Sequence, residues 1–249
     1  MPRLHSLFVS ACCGLLALGA WGQVWAADVR VGMGLTKPPY IMESGKEGIE
    51  VEIAEQALAA VGDKMIGLQF APARGLAMQR AGQLDMLLSV DEGIGGKDYF
   101  SEPYVNYQNV AITLAARKIV LRRIEDLGNY SVAGFQNAGV ILGERFRAVV
   151  DRHTDYKEYP QQIIQNNLLY TVRVDVVVGD RRIFRYFMTR LDPKVDASQP
   201  ITVHTIFPPS PRKAVFKDPG LRDRFNAGLK IIQNNGVYDA ILKKHAGQR

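Results

Sequence analysis

The chain has 249 residues, 47% of them hydrophobic and 22% charged, with 23 Gly and 12 Pro, which is ordinary globular composition and excludes a disordered, collagenous or polytopic membrane chain. At about 100 to 200 residues per domain, this length holds one large domain or two small lobes, each with its own core. Its 31 Lys and Arg against 25 Asp and Glu leave a formal charge of +6, a mild excess that favours anions and is most simply solvated surface charge.

Met1 to Ser6 carries one early charge, Arg3, and is followed by an apolar run from Leu7 to Ala20 and by Trp21 to Ala26. Val24 and Ala26 fall at −3 and −1 of a cut before Ala27, so residues 1–26 are expected to be a cleaved secretory signal peptide that delivers the mature chain to the periplasm. The alternative is an uncleaved anchor, since Leu7 to Ala27 approaches the ~20 residues of a membrane span. Val9 to Cys12 resembles a lipoprotein box, but too few apolar residues precede it. Cys12 and Cys13, the only cysteines, would leave with this segment, so disulfides, thiol catalysis and Cys-ligated zinc are excluded from the mature chain.

From Asp28 onward, short apolar runs alternate with amphipathic segments. Val29 to Gly34 alternates like a strand, and Thr36 to Tyr40 is a loop held extended by Pro38 and Pro39. Ile49, Ile53, Ala57, Ala60 and Val61 share one helical face, with Glu50, Glu52 and Glu55 near the positive end of the helix dipole, and Gly62 ends the helix. Met65 to Ala71 reads as a strand, Arg74 to Ala81 as a helix stopped by Gly82, and Asp85 to Val90 as a buried strand. This β-α-β-α-β order predicts an open parallel sheet. Asp91 to Lys97 is a glycine-rich loop, and Val105 to Ala115 is extended. A second cycle follows: strand Ser131 to Phe135, helix from Val140, strand Val172 to Val178, helix from Arg182. At the end come a strand at Arg212 to Phe216, a helix with Leu221, Phe225, Leu229 and Ile232 on its apolar face closed by Gly236, and a short helix carrying Tyr238, Ile241 and Leu242.

Several patterns do not point to chemistry. Arg181 to Phe187 interleaves basic and aromatic residues, yet at helical spacing Ile183, Phe184, Phe187, Met188 and Leu191 form one apolar face with the arginines outside it, so no nucleic-acid partner is expected. His153, His204 and His245 lack ligand spacing, and no nucleophile elbow or P-loop occurs, so neither a metal nor a cofactor is expected. Asp91 and Glu92, adjacent in a loop, are read as solvated rather than as an acid–base pair.

The ordered segments Val29–Gly32, Pro38–Tyr40, Gly48–Ile53, Gly82–Asp85, Phe100–Tyr104, Glu125–Leu127, Val174–Asp180 and Asn226–His245 resemble the family 3 extracellular solute-binding proteins, the periplasmic receptors of polar amino-acid ABC importers. The resemblance covers nearly the whole mature chain. It implies an α/β fold of the two-lobed periplasmic binding protein type (type II), with two strand crossovers and a ligand trapped between lobes by hinge closure. The crossovers are expected near Ala115 to Lys118 and Phe207 to Lys213. Lobe 1 is then discontinuous, residues 27–115 and 212–249, with lobe 2 at residues 116–211.

The resemblance also implies site residues, with departures. The arginine that clamps a ligand carboxylate six residues before the Phe of the Phe-Ser-x-Pro-Tyr motif falls on Ile94, the usual loop-opening Thr is Asp91, and the lobe 2 Gly-Thr/Ser pair is Asn137-Ala138. Asp180, five residues after Asp175, matches the aspartate that pairs with a ligand amine, and Ser89 matches a polar contact at a strand end. An unpaired Asp180 in a closing cleft would be costly to desolvate and would call for a cationic partner. Arg74, in Ala71-Pro-Ala-Arg74, and Lys97 after its glycines are candidate replacements for the missing arginine. Tyr40 and Phe135 are expected to line the cleft, with Ser89 and Asp91 adding hydrogen bonds and Asn137 a further ligand contact from lobe 2. In the cleft, Asp91 would add a second negative charge that favours a cation.

These expectations describe a monomeric periplasmic receptor for a small polar, amine-bearing, amino-acid-like solute, partnered by an ABC permease or a membrane sensor. The alternatives are a periplasmic enzyme on the same scaffold, similar to the cyclohexadienyl dehydratases, and a ligand-free interaction protein with a vestigial site. On this reading, Asp180→Ala abolishes binding while leaving the melting of the empty protein nearly unchanged.

Overall fold

A computed structural model describes residues 27–90 and 98–246. The signal-peptide segment, Asp91 and Lys97 lie outside the described residues. In chain order the first half forms β1 (Asp28–Met33), α1 (Ile49–Ala59), β2 (Lys64–Gln69), α2 (Pro72–Arg80), β3 (Met86–Val90), β4 (Tyr99–Phe100) and β5 (Val105–Tyr107). The middle forms β6 (Asn109–Leu114), β7 (Val132–Phe135), α3 (Ala138–Ile141), α4 (Glu144–Val150), β8 (Tyr156–Tyr159), α5 (Gln162–Tyr170), β9 (Val176–Asp180), α6 (Arg181–Met188) and β10 (Ile201–His204). The chain closes with β11 (Ser210–Phe216), α7 (Pro219–Asn234) and α8 (Val237–Lys244).

Two sheets build two lobes. The first runs β2-β1-β3-β11-β4, with β5 also on β11, and the second runs β10-β6-β9-β7-β8. β1, β2 and β3 are parallel as expected, but β11 returns antiparallel against β3, so the sheet is mixed. The first crossover comes earlier than Ala115. β6 was expected in lobe 1, yet it lies in the second sheet between β9 and β10, with all six of its residues buried, so the chain crosses at Gln108. A strand apolar on both faces needs neighbours on both edges and cover on both sides, and only the second sheet provides these.

The second lobe contains more elements than its periodicity suggests. β8, α5 and β10 were not anticipated, and the strand expected from Val172 begins at Val176, because Val172 sits in a turn with φ 56°. Among the described residues, the best-read elements were those with the cleanest apolar faces. α7 buries Leu221, Phe225, Leu229 and Ile232, begins at Pro219 and is capped by Asp218, whose carboxylate accepts from the N–H groups of Gly220 and Leu221.

α7 packs on α1 at closest approach where Gly228 meets the backbone of Ala57, and a Cβ at Gly228 would penetrate the Ala57 carbonyl. Gly228→Ala must therefore push two core helices apart. We expect a loss of about 3 kcal/mol, the upper part of the overpacking range, because the obstacle is backbone; urea unfolding that matched the parent would contradict this packing.

Candidate functional site

Lobe 1 contributes a buried carboxylate. Glu50 lies in the first turn of α1, and its side chain has no solvent exposure. It accepts hydrogen bonds from Ser89 Oγ (2.6 Å), Tyr104 OH (2.9 Å) and Tyr107 OH, and Lys37 Nζ lies 3.6 Å away. Burial alone would raise this carboxyl, but the Lys37 charge and the three hydroxyl donors outweigh it and hold the group below its usual range. Burial and the Glu50 charge push both tyrosines well above theirs, so they remain neutral donors. Ser89, at a positive φ of 54° at the end of β3, is turned toward Glu50.

Lobe 2 contributes Asp180, at the junction of β9 and α6. The expectation of an unpaired carboxylate is corrected: Asp180 is the N-cap of α6, with Oδ1 accepting from the N–H groups of Arg182 (2.8 Å) and Ile183 (3.1 Å). Oδ2 accepts from Gln108 N–H (2.9 Å) and from the Tyr40 hydroxyl (3.0 Å). Four protein donors occupy about all the lone-pair positions of one carboxylate. Tyr40, fully buried, belongs to lobe 1, so its hydroxyl joins the lobes across the cleft. Burial, and then the Asp180 charge, raise the Tyr40 phenol far above its ordinary value.

Between the lobes is a cavity of about 190 Å³, whose walls include Lys37, Tyr107, Asn109, Phe135, Gln162, Asp180 and Arg212. Lys37 Nζ and the Arg212 guanidinium carbon stand 4.6 and 5.1 Å from the centre of the same ring, Tyr107. A larger cavity of about 450 Å³ shares Lys37 and Ile141 with it, reaches Glu50 and Ser89, and is otherwise mostly apolar, with Phe70, Leu76 and Leu87 among its walls. The combination of an apolar surround and a few convergent polar groups is that of a small-molecule site.

Of the residues singled out from sequence, Phe135 and Asp180 line the smaller cavity and Ser89 the larger. Tyr40, expected to line the cleft, is instead fully buried, lines neither cavity and reaches the site only through its hydrogen bond to Asp180. Arg74 is exposed on α2 and lines neither cavity; its guanidinium carbon lies 5.5 Å from the Phe70 ring, so Phe70 supplies the aromatic partner missing from its own motif. Asn137 is exposed in a left-handed conformation, and its backbone N–H donates to Glu158 Oε2 at 2.6 Å. Sequence reasoning missed Lys37, Tyr107, Asn109, Gln162 and Arg212. It did note Glu50, but only as a dipole charge. Among the described residues there is no cluster of three or more His, Cys, Asp or Glu able to hold a metal, and no helix long and apolar enough to cross a membrane.

Solved structures with this fold cover 89% of the chain. The ancestral cationic amino acid solute-binding protein has a TM-score of 0.69 at 18% identity, with 96% of its own chain covered. The same ancestral protein is also described as a precursor of cyclohexadienyl dehydratase. The GluR0 ligand-binding core in complex with L-glutamate has a TM-score of 0.67 at 20% identity over 99% of its chain. A histidine kinase sensor domain similar to periplasmic binding proteins has a TM-score of 0.64 at 20% identity over 97% of its chain. At these identities the likeness concerns the fold. No curated protein sequence matches. The family model for bacterial extracellular solute-binding proteins, family 3, spans residues 29–248, nearly everything after the proposed signal segment. Sequence and fold thus agree, and the chain belongs to family 3 of the bacterial extracellular solute-binding proteins.

Proposed function

We propose that the chain is a periplasmic receptor, secreted by residues 1–26, that captures a small carboxylate-bearing, amino-acid-like solute between its lobes for an ABC importer or a membrane sensor. The observation that carries this reading is the placement of Lys37 and Arg212 on one cavity at the Tyr107 ring, while Asp180 is already occupied by four protein donors. With Asp180 saturated and Lys37 already facing Glu50, the Arg212 guanidinium is the group that anchors the acid end of a solute, with Lys37 beside it. An amine or hydroxyl on the same solute meets the carboxamides of Asn109 and Gln162, which line the cavity and have no side-chain partner among the described residues. The reading as a binder rather than an enzyme rests on Glu50, which is enclosed by internal donors instead of being poised to exchange a proton with a guest.

The test is a thermal-shift screen of residues 27–249 against amino acids, small carboxylates, polyamines and sugars. A solute at 100 times its Kd adds about 2.7 kcal/mol, or several degrees at roughly 2 to 4 °C per kcal/mol. Shifts are expected with carboxylates or amino acids and are expected to vanish in Arg212→Met. Shifts confined to polyamines would move the anchor back to an acidic group, and turnover of a cyclic amino-acid precursor to an aromatic product would replace the receptor with an enzyme.

A further inference from the structure

A second groove, of about 210 Å³, lies between the lobes and shares no lining residue with the two cavities of the solute cleft. Its lobe 2 wall is one face of α6 and the turn after it: Arg182, Arg185, Tyr186, Thr189 and Arg190 recur at helical spacing. This is the basic face left over when the apolar face of the same helix turns to the core. The opposite wall, from lobe 1, carries Lys244 and His245 at the end of α8, together with the carboxylate of Glu47.

None of the three arginines is neutralised, and two of them are oriented. Arg182 Nη1 donates to the Asn106 carbonyl at 3.1 Å, and Arg190 Nη1 donates to Tyr186 O and Thr189 Oγ1, both at 2.9 Å. The Arg190 guanidinium also stacks 3.6 Å from the centre of the Tyr186 ring. Neither of these nor Arg185 pairs with a carboxylate among the described residues, whereas Arg30, Arg117, Arg145 and Arg224 each do. Across the groove, Lys244 and His245 both contact Glu52, so lobe 1 is close to charge balance there and the excess comes from α6. Carbonyl contacts fix a guanidinium while leaving its charge and most of its five donors available. Such preset forks match the several oxygens of a phosphate group better than a lone carboxylate.

We propose that this groove is a second binding site, distinct from the solute cleft, and that it takes a phosphate group, either free or as the headgroup of an anionic lipid. Because its walls come from both lobes, an occupant would hold them together.

The experiment titrates the protein with inorganic phosphate at fixed ionic strength by calorimetry, and separately floats it with phosphatidylcholine vesicles with and without phosphatidylglycerol. The parent is compared with an Arg185→Gln/Arg190→Gln double variant and with Arg147→Gln, which removes an exposed arginine elsewhere. Arg185 and Arg190 are exposed, so the double variant is expected to fold normally. Binding in either arm that weakens about tenfold or more in the double variant, but not in Arg147→Gln, supports the site, and the responding arm identifies the source of the phosphate. No binding in either arm, binding unchanged by the double variant, or equal weakening in Arg147→Gln overturns it.

Discussion

Glu50→Gln is expected to destabilise the protein by about 3 to 5 kcal/mol, the range for removing one member of a buried charge pair, and to lower Tm by roughly 10 °C at about 2 to 4 °C per kcal/mol. The carboxylate has no solvent exposure and accepts from three hydroxyls beside Lys37. A carboxamide keeps the shape but offers one acceptor oxygen and turns an N–H₂ donor toward hydroxyls that need acceptors. It also leaves Lys37 without its counter-charge at a cavity wall. Because Lys37 and the hydroxyl donors hold the Glu50 carboxyl below its ordinary value, its contribution is complete above the ordinary glutamate range and is lost as the pH falls toward the lower, folded value. Urea unfolding across the acid range should therefore show a decline in the parent that is smaller in the variant. A variant with parental stability at neutral pH would remove Glu50 from the structural centre of lobe 1.

What could be read in advance follows from the range over which each signal acts. β1, α1, β3 and α7 carry their apolar pattern within a few turns, and the sequence expectations for them hold. β8 does not: Tyr156-Lys-Glu-Tyr159 is half polar and lies at the edge of its sheet, paired only with β7, so no apolar run marks it. α5 hides behind Gln162, Gln165, Asn166 and Asn167, and two of these polar residues, Gln165 and Asn166, are buried. In the site, the Asp180 position was found by motif, but its role was available locally too, since an acidic residue directly before an amphipathic helix is an N-cap signal. The meeting of Lys37 with Arg212 was not readable. It depends on β5 pairing antiparallel with β11, Val105 opposite Arg212, which brings Tyr107 and Arg212 together from distant parts of the chain. Glu50 was visible as a first-turn acid, but only the packing of Tyr104, Tyr107 and Ser89 around it decides that it is buried.

Asp180→Ala is expected to lower the stability of the ligand-free protein by about 3 kcal/mol, reversing the nearly silent effect inferred from sequence. Loss of an aspartate N-cap alone costs about 0.5 to 2 kcal/mol, and this substitution also strips acceptors from the Gln108 N–H and the buried Tyr40 hydroxyl, at about 1 to 3 kcal/mol for a donor left unsatisfied. The contributions share one carboxylate, so they should not sum fully. Asp180→Asn separates them: its oxygen can still cap α6, while its N–H₂ faces Gln108 N–H and Tyr40, and an intermediate loss of about 1 to 2 kcal/mol follows. Tyr40→Phe leaves the cap intact and removes one of the hydrogen bonds that cross between the lobes, that of Arg182 with the Asn106 carbonyl being another. Its expected loss of stability is about 1 kcal/mol, accompanied by a larger radius of gyration in X-ray scattering if that bond holds the empty cleft closed. An Asp180→Ala protein that melted with the parent would show that the cap is dispensable. Unchanged scattering from Tyr40→Phe would place the force that holds the lobes in the remaining interlobe contacts, the Arg182–Asn106 hydrogen bond and the packing of Ile183 on the lobe 1 core.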